Sequence, residues 1–450
     1  MRLNPQTRYG SFEPPLTETS KDLGVELVDA CNLHCSYCLR DDAQLYGKMH
    51  ALPVPLLDRV LGEVKALWGP THIGFTGGEA SLHPQFEDVV AAVARHGLKC
   101  GLVTNGWLFE RILKAAVKFQ TTLTEIAFSL DGVNAETHDA WRGKGSFERV
   151  VRALALCREA GIATSLKVVL RRDTAPYLAD FCLFGARMGA SAIMFGPLFP
   201  TSQAAEESAC SIAEQREALR ELAFLKKTVR VQISLAAGLY DPRPEPTCRP
   251  LGGGEANIDF KGRLTLCFVL SGFRGAERPD DLIADLTQTS FAEAHQRLAD
   301  VVAMHNARRL KTFDALAGAP PPLHTGSSCL YCIHSFGKGP ARGAETPLPP
   351  VEVRGADRFA LTAGRVVAKT DTGAIVANPV QGGRIRLNET ASFILERLLA
   401  GEDVTATTSS LQAAFAVEES GAQGAVRQTI ADLLRTQELI PVSGPQKVQR

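Results

Sequence analysis

Short apolar runs alternate with amphipathic stretches from about residue 24 to residue 200. Apolar residues at i, i+3, i+4 and i+7 predict helices, and short β-rich runs predict strands. The clearest helical stripes are Leu57, Val60, Leu61, Val64, Leu67 and Phe86, Val89, Val90, Val93. The predicted strands are Val25–Ala30, His72–Thr76, Lys99–Thr104, Glu125–Leu130, Ser165–Leu170 and Ala192–Phe195. This alternation indicates parallel βα units. Six units are too few for a closed eight-stranded barrel, so we expect an α/β protein with an open, partial (β/α)6 barrel.

The pattern changes after about residue 203, where a helical stretch leads into a region rich in Pro, Gly and Cys. The segment that follows Phe336 is rich in Pro and Gly, which favour extended chain that does not pack. The predicted division is a barrel core 1–203, a helical extension with a small cysteine-rich region 204–336, a linker 337–353 and a terminal domain 354–450.

The last hundred residues predict three short strands followed by two amphipathic helices. The strands are Val366–Ala368, Ile375–Asn378 and Arg384–Leu387, and the helical stripes begin at Ala391 and Val426. Asn388 is suited to cap the first helix. This order is typical of a winged helix-turn-helix-like domain. Residues 351–450 hold 11 Lys or Arg and 11 Asp or Glu, which argues against DNA binding.

Charge and hydropathy exclude other classes of protein. The 450 residues contain 49 basic and 49 acidic side chains, whereas a protein that coats nucleic acid carries a basic excess. No run of 18 apolar residues is present, and the first residues lack the apolar core of a secretory signal. We therefore expect no nucleic-acid partner, no membrane association and a cytoplasmic location. In that reducing compartment, eleven cysteines favour metal binding or catalysis over disulfides.

Three cysteines follow the first predicted strand at C-x3-C-x2-C spacing, namely Cys31, Cys35 and Cys38. Three thiolates can bind three irons of an iron–sulfur cube and leave the fourth iron open to a ligand. A structural zinc site with His34 as the fourth ligand is the alternative on spacing alone.

Polar clusters end the next three predicted strands: Thr76-Gly-Gly-Glu79, Thr104-Asn-Gly106 and Ser129-Leu-Asp-Gly132. Parallel strands end at one rim of a barrel, so these clusters are expected beside the cysteines. The glycines are expected to let the backbone approach a ligand closely. Each cluster alone is typical of a simple turn, but three such clusters in this order at the ends of successive strands are not.

With these motifs the chain resembles the radical S-adenosylmethionine (SAM) enzymes over about residues 24–200, through CNLHCSYC, TGGEASLHP, TNG, FSLDG and HDAWRGKGSF. The resemblance implies that Cys31, Cys35 and Cys38 bind a catalytic [4Fe-4S] cluster, whose open iron chelates the methionine part of SAM. Reduction of the cluster would then generate a 5′-deoxyadenosyl radical, which abstracts a hydrogen atom from the substrate. The SAM contacts implied are Tyr37, Gly77, Gly78, Glu79, Asn105, Ser129, Arg142 and Leu198.

The resemblance implies a particular part of SAM for most of these residues. The Gly77–Glu79 stretch would meet the methionine amino group, and Tyr37 would lie beside the adenine. Ser129 is expected at the ribose or carboxylate, and Leu198 at the adenine. Arg142 would contact the carboxylate or hold the loop, with a solvated surface arginine as the alternative.

Four further cysteines form a second pattern, C-x13-G-x4-C and then C-x2-C, comprising Cys248, Cys267, Cys329 and Cys332. Four thiolates suit zinc or an iron–sulfur cluster equally well. The pattern resembles the opening of the SPASM extension of radical SAM enzymes, without the later cysteines that ligate its second cluster. The resemblance therefore implies the shorter "twitch" form with one auxiliary [4Fe-4S] cluster.

The remaining cysteines are expected to serve mainly as core residues. Cys100, Cys157 and Cys182 lie in apolar stretches. Cys210 lies in a more polar segment, and hydrogen-atom donation to a substrate radical is an alternative for it.

The terminal segment resembles the PqqD-like peptide-recognition domains through RIRLNETASFILERLLAGEDV and AVRQTIADLLRTQELI. Those domains bind the leader of a ribosomally made precursor peptide as an added strand. A capping or dimerisation module is the alternative.

Together these resemblances imply a radical SAM oxidoreductase that matures a ribosomally synthesised peptide by crosslinking or oxidation. Its expected partners are a precursor peptide, with its leader on the terminal domain, and a flavodoxin- or ferredoxin-type electron donor. One alternative is a dehydrogenase or cyclase of a small molecule, in which the terminal domain is accessory. The other is a non-enzymatic iron–sulfur redox regulator.

Overall fold

Parallel strands joined by helices build the first part of the protein in the computed structural model. It describes residues 21–39, 49–243, 248–272, 281–316, 319–338, 354–362, 365–378, 383–435 and 439–442. The strands of this part are β1 Asp22–Glu26, β2 His72–Thr76, β3 Lys99–Thr104, β4 Leu123–Ser129, β5 Ala163–Leu170, β6 Ala192–Pro197, β7 Gln232–Leu235, β8 Glu255–Ile258, β9 Arg263–Thr265 and β10 Leu282–Asp285. They form one sheet in the order β10-β9-β8-β1-β2-β3-β4-β5-β6-β7.

Helices follow the strands in the order that the hydrophobic pattern predicts. They are α1 Val54–Trp68, α2 Phe86–Arg95, α3 Phe109–Lys118, α4 Ala135–Arg142, α5 Ser146–Glu159, α6 Leu178–Met188, α7 Gln203–Ser208, α8 Ile212–Thr228, α9 Phe268–Gly272, α10 Phe291–Asp314, α11 Leu323–Gly326 and α12 Ser328–Ser335. The stripe of α1 is buried except for Leu67, which is exposed, and all four stripe residues of α2 are buried. The apolar stripes therefore pack against the sheet.

The parallel sheet confirms the predicted α/β partial barrel and extends it. Strands β1 to β7 are all parallel, so the barrel has a seventh strand, β7, that the six-unit prediction lacked. Strand β8, from the cysteine-rich region, adds to the free edge of β1, also in parallel. The region after residue 203 is thus continuous with the barrel sheet.

The first strand was predicted three residues late. Its residues are Asp22–Glu26, and Val28 makes only an isolated bridge to Ala51. The apolar composition of 25–30 suggested a strand there, but the pairing of β1 with β2 begins at Asp22, which faces the barrel interior. Inward-facing polar residues therefore concealed the start of the strand.

The terminal part has a separate hydrophobic cluster around Val376, Ile394, Leu411 and Val426. Its elements are β11 Arg358–Leu361, β12 Val366–Thr370, β13 Gly373–Asn378, β14 Gly383–Asn388, α13 Glu389–Leu399, α14 Val404–Phe415, α15 Glu419–Arg435 and β15 Leu439–Val442. The three predicted strands form the antiparallel sheet β12-β13-β14, and Asn388 caps α13 through Ala391 N. The prediction missed α14 and the β11–β15 pair.

The predicted linker 337–353 lies mostly outside the described residues. Its beginning is packed, since the Lys338 ammonium is buried against the Asp281 carboxylate at 2.7 Å. The compact region therefore extends at least to Lys338. Within the described part of the chain, no helix has the length and apolar character needed to cross a lipid bilayer.

Candidate active site

The first cysteine loop follows β1 and brings three half-buried thiols near one another. Burial, together with the Glu79 carboxylate and the other two thiols, raises the pKa of Cys31 to about 12. Burial also raises the pKa of Cys35, against the opposing charge of Arg142. Such thiols become thiolates when a metal binds them, because coordination replaces the proton.

Hydrogen bonds from three other segments hold this loop. Ser36 donates its N–H to Trp141 O at 3.3 Å and accepts at its carbonyl from Ser202 Oγ at 2.7 Å. The Asn105 amide donates to Asn32 Oδ1 at 2.9 Å and lies 3.8 Å from Cys31 Sγ. The loop that follows β3 therefore contacts the cysteine loop, as expected from their common rim.

The two glycines of the Gly77-Gly78-Glu79 stretch are required by the chain's own backbone. A Cβ at Gly77, whose φ is +127°, would lie 2.4 Å from Val28 O, and one at Gly78 would lie 2.0 Å from Ala30 O. Gly78 N donates to Val28 O, and Glu79 N donates to Ala30 O. The two glycines therefore let their own strand end lie against the backbone at the start of the cysteine loop. From the sequence we expected them to let the backbone approach a ligand.

The Glu79 carboxylate is buried and links the ends of two strands. Its Oε1 accepts from Ser81 Oγ at 2.7 Å and Thr104 Oγ1 at 2.9 Å, and its Oε2 accepts from Asn105 N at 2.8 Å. The side chain thus fixes the Thr104-Asn105-Gly106 turn beside the cysteine loop. In this arrangement Glu79 acts on the site mainly by positioning Asn105.

A buried ionic cluster lies next to Cys35. Asp131 accepts from Tyr37 Oη and Arg142 Nε through one oxygen, and from Arg171 Nη1 at 2.6 Å through the other. Arg142 Nη2 also donates to Tyr37 Oη at 2.7 Å. Although burial opposes it, the two guanidinium groups lower the pKa of Asp131 to about 2. The cluster ties the cysteine loop to β4, α4 and the end of β5.

This cluster decides between the alternatives for Arg142 and adds residues that the sequence did not identify. Arg142 is largely buried and ion-paired, so the solvated-surface reading is wrong. Asp131 lies within the FSLDG motif, yet its pairing with Arg171, which is 40 residues away, has no local signal. Arg171 also bonds Asp173, which accepts from the Trp141 indole at 2.7 Å.

The barrel encloses a cavity of about 770 Å³, within the range of small-molecule and side-chain pockets. Arg142 and Ser129, at the end of β4, line it, while Leu198 is buried just after β6. Gly24, Gly74 and Gly101 lie side by side on β1, β2 and β3 and leave room where larger side chains would fill the barrel.

Further charged side chains line the cavity. Lys167 of β5 faces the interior with Glu125 of β4 and Glu255 of β8. Burial lowers the pKa of Lys167, and the two carboxylates oppose that shift. The cavity therefore offers both apolar and ionic contacts to a substrate.

The second cysteine set also lines this cavity. Cys267 precedes α9, and Cys329 and Cys332 lie on α12. Burial, reinforced by the Cys248 thiol, raises the pKa of Cys267 to about 12 and that of Cys332 well above its usual value. A Cβ at Gly238 would lie 2.7 Å from Cys329 Sγ, so the chain packs tightly around the thiols. Residues far apart in sequence, Cys248 included, thus line one cavity.

Four cysteines lie away from these two sets. Cys100, Cys157, Cys182 and Cys210 are all buried in the hydrophobic core, in agreement with the packing expectation. Cys210 is not among the residues that line the cavity, so its position does not support hydrogen-atom donation there. In the part of the chain that the structure describes, no three His, Cys, Asp or Glu side chains are gathered closely enough to hold a single metal ion.

Comparison with known proteins identifies two domains. Residues 25–185 match the radical SAM superfamily, and residues 373–439 match coenzyme PQQ synthesis protein D, PqqD. The chain therefore contains a radical SAM domain and a PqqD domain. Radical SAM domains carry SAM and a [4Fe-4S] cluster, and three free, half-buried thiols in one loop fit the cluster as ligands.

Two curated relatives resemble part of the chain. The AdoMet-dependent heme synthase of Oleidesulfovibrio alaskensis is 29% identical over 217 residues, which are 46% of this chain and 54% of that protein. The mycofactocin maturase MftC of Mycolicibacterium smegmatis is 30% identical over 167 residues, which are 37% of this chain and 42% of that protein. The matched region thus spans about half the length of each relative.

The fold also resembles a solved structure. SuiB of Streptococcus suis, crystallised with S-adenosylmethionine, has a TM-score of 0.50 and 12% sequence identity. The likeness covers 61% of this chain and 65% of that one. It supports the assignment of the partial barrel.

Proposed function

We propose that this chain is a radical SAM maturase that modifies a ribosomally synthesised precursor peptide. The observation that carries the proposal is the union in one chain of a radical SAM domain, whose cavity is lined by a second set of cysteines, with a PqqD domain. MftC, the relative that is 30% identical over 167 residues, is a maturase by its name.

The radical chemistry would come from the bound cofactors, which remove a hydrogen atom from the substrate when the cluster is reduced. Cys31, Cys35 and Cys38 would hold the cluster. Tyr37, Asn105, Ser129, Arg142, Leu198 and the Gly77–Glu79 stretch would surround SAM. The Asp131 cluster holds the Tyr37 ring and the Arg142 guanidinium in place.

A second [4Fe-4S] cluster would be held by Cys248, Cys267, Cys329 and Cys332. The donor set supports it, because four thiols converge on the cavity wall and a fully buried guanidinium, that of Arg309, lies near them. Facing the cavity, this cluster would be placed to exchange an electron with a substrate held there.

The PqqD domain would bind the leader segment of the peptide. Its three-stranded sheet has β12 and β14 at its edges, and an extended segment can add to such an edge through main-chain hydrogen bonds. The leader would thereby raise the local concentration of the segment to be modified. A flavodoxin or ferredoxin would supply electrons.

A small-molecule substrate is the second candidate. It is favoured by the heme synthase relative, which by its name makes heme, a small molecule, and which matches more of this chain than MftC does. In that case the PqqD domain would be accessory.

The test uses reconstituted full-length protein with peptides encoded by short reading frames beside the gene. We expect one of them to lose hydrogen atoms by mass spectrometry in the presence of SAM and a reductant. Deletion of residues 351–450 should spare uncoupled SAM cleavage and lose peptide modification. Cys31→Ala should have the opposite defect, with peptide binding retained and SAM cleavage lost.

Two outcomes distinguish the peptide substrate from the small-molecule substrate. If the deletion variant modifies the peptide as well as the full chain does, leader binding by this domain is wrong. If no peptide binds the full chain while SAM is still cleaved, the small-molecule candidate is favoured.

A further inference from the structure

Helix α10 presents two buried polar residues to the second cysteine set. His305 and Arg309 lie one turn apart, so they share one face of the helix. Their exposures are 3% and 0%, although neither belongs to a sequence motif identified above. Burying a polar group is unfavourable unless it has a partner, so the groups around His305 and Arg309 indicate the role of these two residues.

His305 has one hydrogen-bond partner among the described residues. Its Nε2 lies 3.3 Å from Cys332 Sγ, while its Nδ1 is buried without a partner among the described residues. Phe336 stacks on the ring at 5.3 Å, and Tyr331 packs edge-on at 5.3 Å. The two aromatic rings hold the imidazole in the orientation that points Nε2 at the sulfur.

Arg309 is a buried cation whose hydrogen bonds go to neutral oxygens. It donates to Ser328 Oγ at 2.6 Å and, more weakly, to Thr325 O and Arg243 O. The acidic groups that act on it are the Cys332 thiol, Asp241, which itself pairs with Arg243, and the Cys248 thiol. The two thiols carry a negative charge only when they are deprotonated, as they are on metal binding. Within the described residues no carboxylate lies within 4 Å of its guanidinium.

A metal centre with four thiolates would supply the missing counter-charge. A [4Fe-4S] core of charge 2+ with four thiolates carries two net negative charges, and one more after reduction. Hydrogen bonds to the sulfur ligands and nearby positive charge both stabilise the reduced form, and therefore raise the reduction potential.

We propose that His305 and Arg309 are positioning residues that raise the reduction potential of the auxiliary cluster, His305 by donating Nε2–H to Cys332 Sγ and Arg309 by its charge. The proposal rests on the auxiliary cluster proposed above. A raised potential suits a cluster that accepts electrons from the substrate.

The test isolates the auxiliary cluster in full-length protein that carries Cys31→Ala, Cys35→Ala and Cys38→Ala. Electron paramagnetic resonance then follows its reduction. In this background His305→Phe, which keeps a packed ring without the donor, should lower the ratio of reduced to oxidised cluster about tenfold at a fixed potential, a shift of about 59 mV. Arg309→Met should shift it in the same direction, and His305→Gln should restore part of it.

His295→Phe is the matched control. His295 lies on the same helix and packs against Trp68 and Phe291, so its replacement should leave the potential unchanged. Absence of iron in the triple-alanine background would contradict the auxiliary cluster itself. A bound cluster whose potential is unaffected by His305→Phe and Arg309→Met would contradict only this inference.

The His305→Phe variant could fail to retain iron, so a second measurement keeps His305 in place. Labelling the triple-alanine protein with ¹⁵N-histidine should give a weak nitrogen hyperfine coupling to the reduced cluster, as expected for a hydrogen bond to a ligand sulfur. No coupling would overturn the proposal, and a strong coupling would indicate that His305 ligates iron directly.

Discussion

Asp131 is the residue on which most of the contacts around the first cysteine loop converge. Its one carboxylate accepts hydrogen bonds from Tyr37 of the loop itself, Arg142 of α4 and Arg171 at the end of β5. In water two arginines near one carboxylate would contribute little, but here Asp131 and Arg171 are fully buried and Arg142 is largely buried. Removing the shared anion therefore affects three segments at once.

Replacing Asp131 with Asn should destabilise the apoprotein by about 3–5 kcal/mol, because two buried guanidinium groups lose their counter-charge. Urea unfolding measures the difference. Asp173→Asn is the control, since Asp173 also bonds Arg171 but is half exposed, and it should cost no more than about 1 kcal/mol. An equal loss of stability in the two variants would show that burial of the carboxylate does not determine the size of the loss.

The same carboxylate predicts a dependence on pH. Its pKa is lowered from 3.8 to about 2 in the folded protein, which corresponds to about 2.5 kcal/mol of stability. This contribution is present above the unfolded-state value and is lost as the pH falls from about 5 towards 2. The stability difference between the wild type and Asp131→Asn should therefore narrow on acidification, and a difference that widens would contradict the assignment.

At the scale of elements, three glycines in register on β1, β2 and β3 explain why the barrel is not filled. Gly74 is the most open of them, since a Cβ there would meet no atom within 4 Å, whereas one at Gly24 would lie 2.3 Å from Asn257 Oδ1. A larger residue at 74 would occupy the cavity while leaving the sheet undisturbed.

The series Gly74→Ala, Gly74→Val and Gly74→Leu should lower product formation progressively, by about a hundredfold for leucine, because the substrate is displaced from the reacting position. Uncoupled SAM cleavage and the unfolding midpoint should change little. Product yield by mass spectrometry, beside cleavage in the same samples, is the measurement. Full product formation by Gly74→Leu would place the substrate elsewhere.

The Lys338–Asp281 pair joins the segment that follows α12 to the start of β10. Lys338 Nζ also donates to Leu270 O of α9 at 2.6 Å, so it connects both sides of the second cysteine set. Lys338→Met leaves Asp281 buried and unpaired and should cost about 3–5 kcal/mol. The double variant Lys338→Met, Asp281→Leu should recover most of this loss in urea unfolding, and a loss that persists would mean that Lys338 acts through Leu270 alone.

Strands were predictable where apolar runs have clear ends, as for His72–Thr76 and Lys99–Thr104, whose bounds agree with the structure. Strand β7 was missed because Gln232–Leu235 is short and half polar. Strand β8 was missed because its partner, β1, lies more than 200 residues earlier in the chain. Pairing at that distance leaves no local signal in the sequence.

For the whole molecule, the described residues form two hydrophobic clusters, one built from residues up to Phe336 and one from Phe359 onwards. Each cluster buries its own apolar surface, so each should unfold as a cooperative unit. Calorimetry of the full chain should show two transitions, and deletion of residues 351–450 should remove one and leave the other at the same temperature. A single transition that shifts on deletion would contradict this independence.

The candidate site was predictable to the extent that its chemistry follows spacing. Two cysteine sets were identified from their intervals, and the structure places the second set on the wall of the cavity and the first in the loop that follows β1. Their supporting residues, Arg171, His305 and Arg309, could not be identified, because an arginine or histidine on a helix or strand end reveals nothing about its partner. Burial of charge is a property of the assembled fold.

The parallel addition of β8 to β1 has a consequence for dissection of the chain. A β1 without its neighbour would present a row of unpaired backbone groups, which is a template for aggregation. A fragment that stops at residue 203, the predicted end of the barrel core, leaves that edge bare. The cysteine-rich region thus protects the barrel against self-association, and a fragment suited to solution work must extend through Lys338.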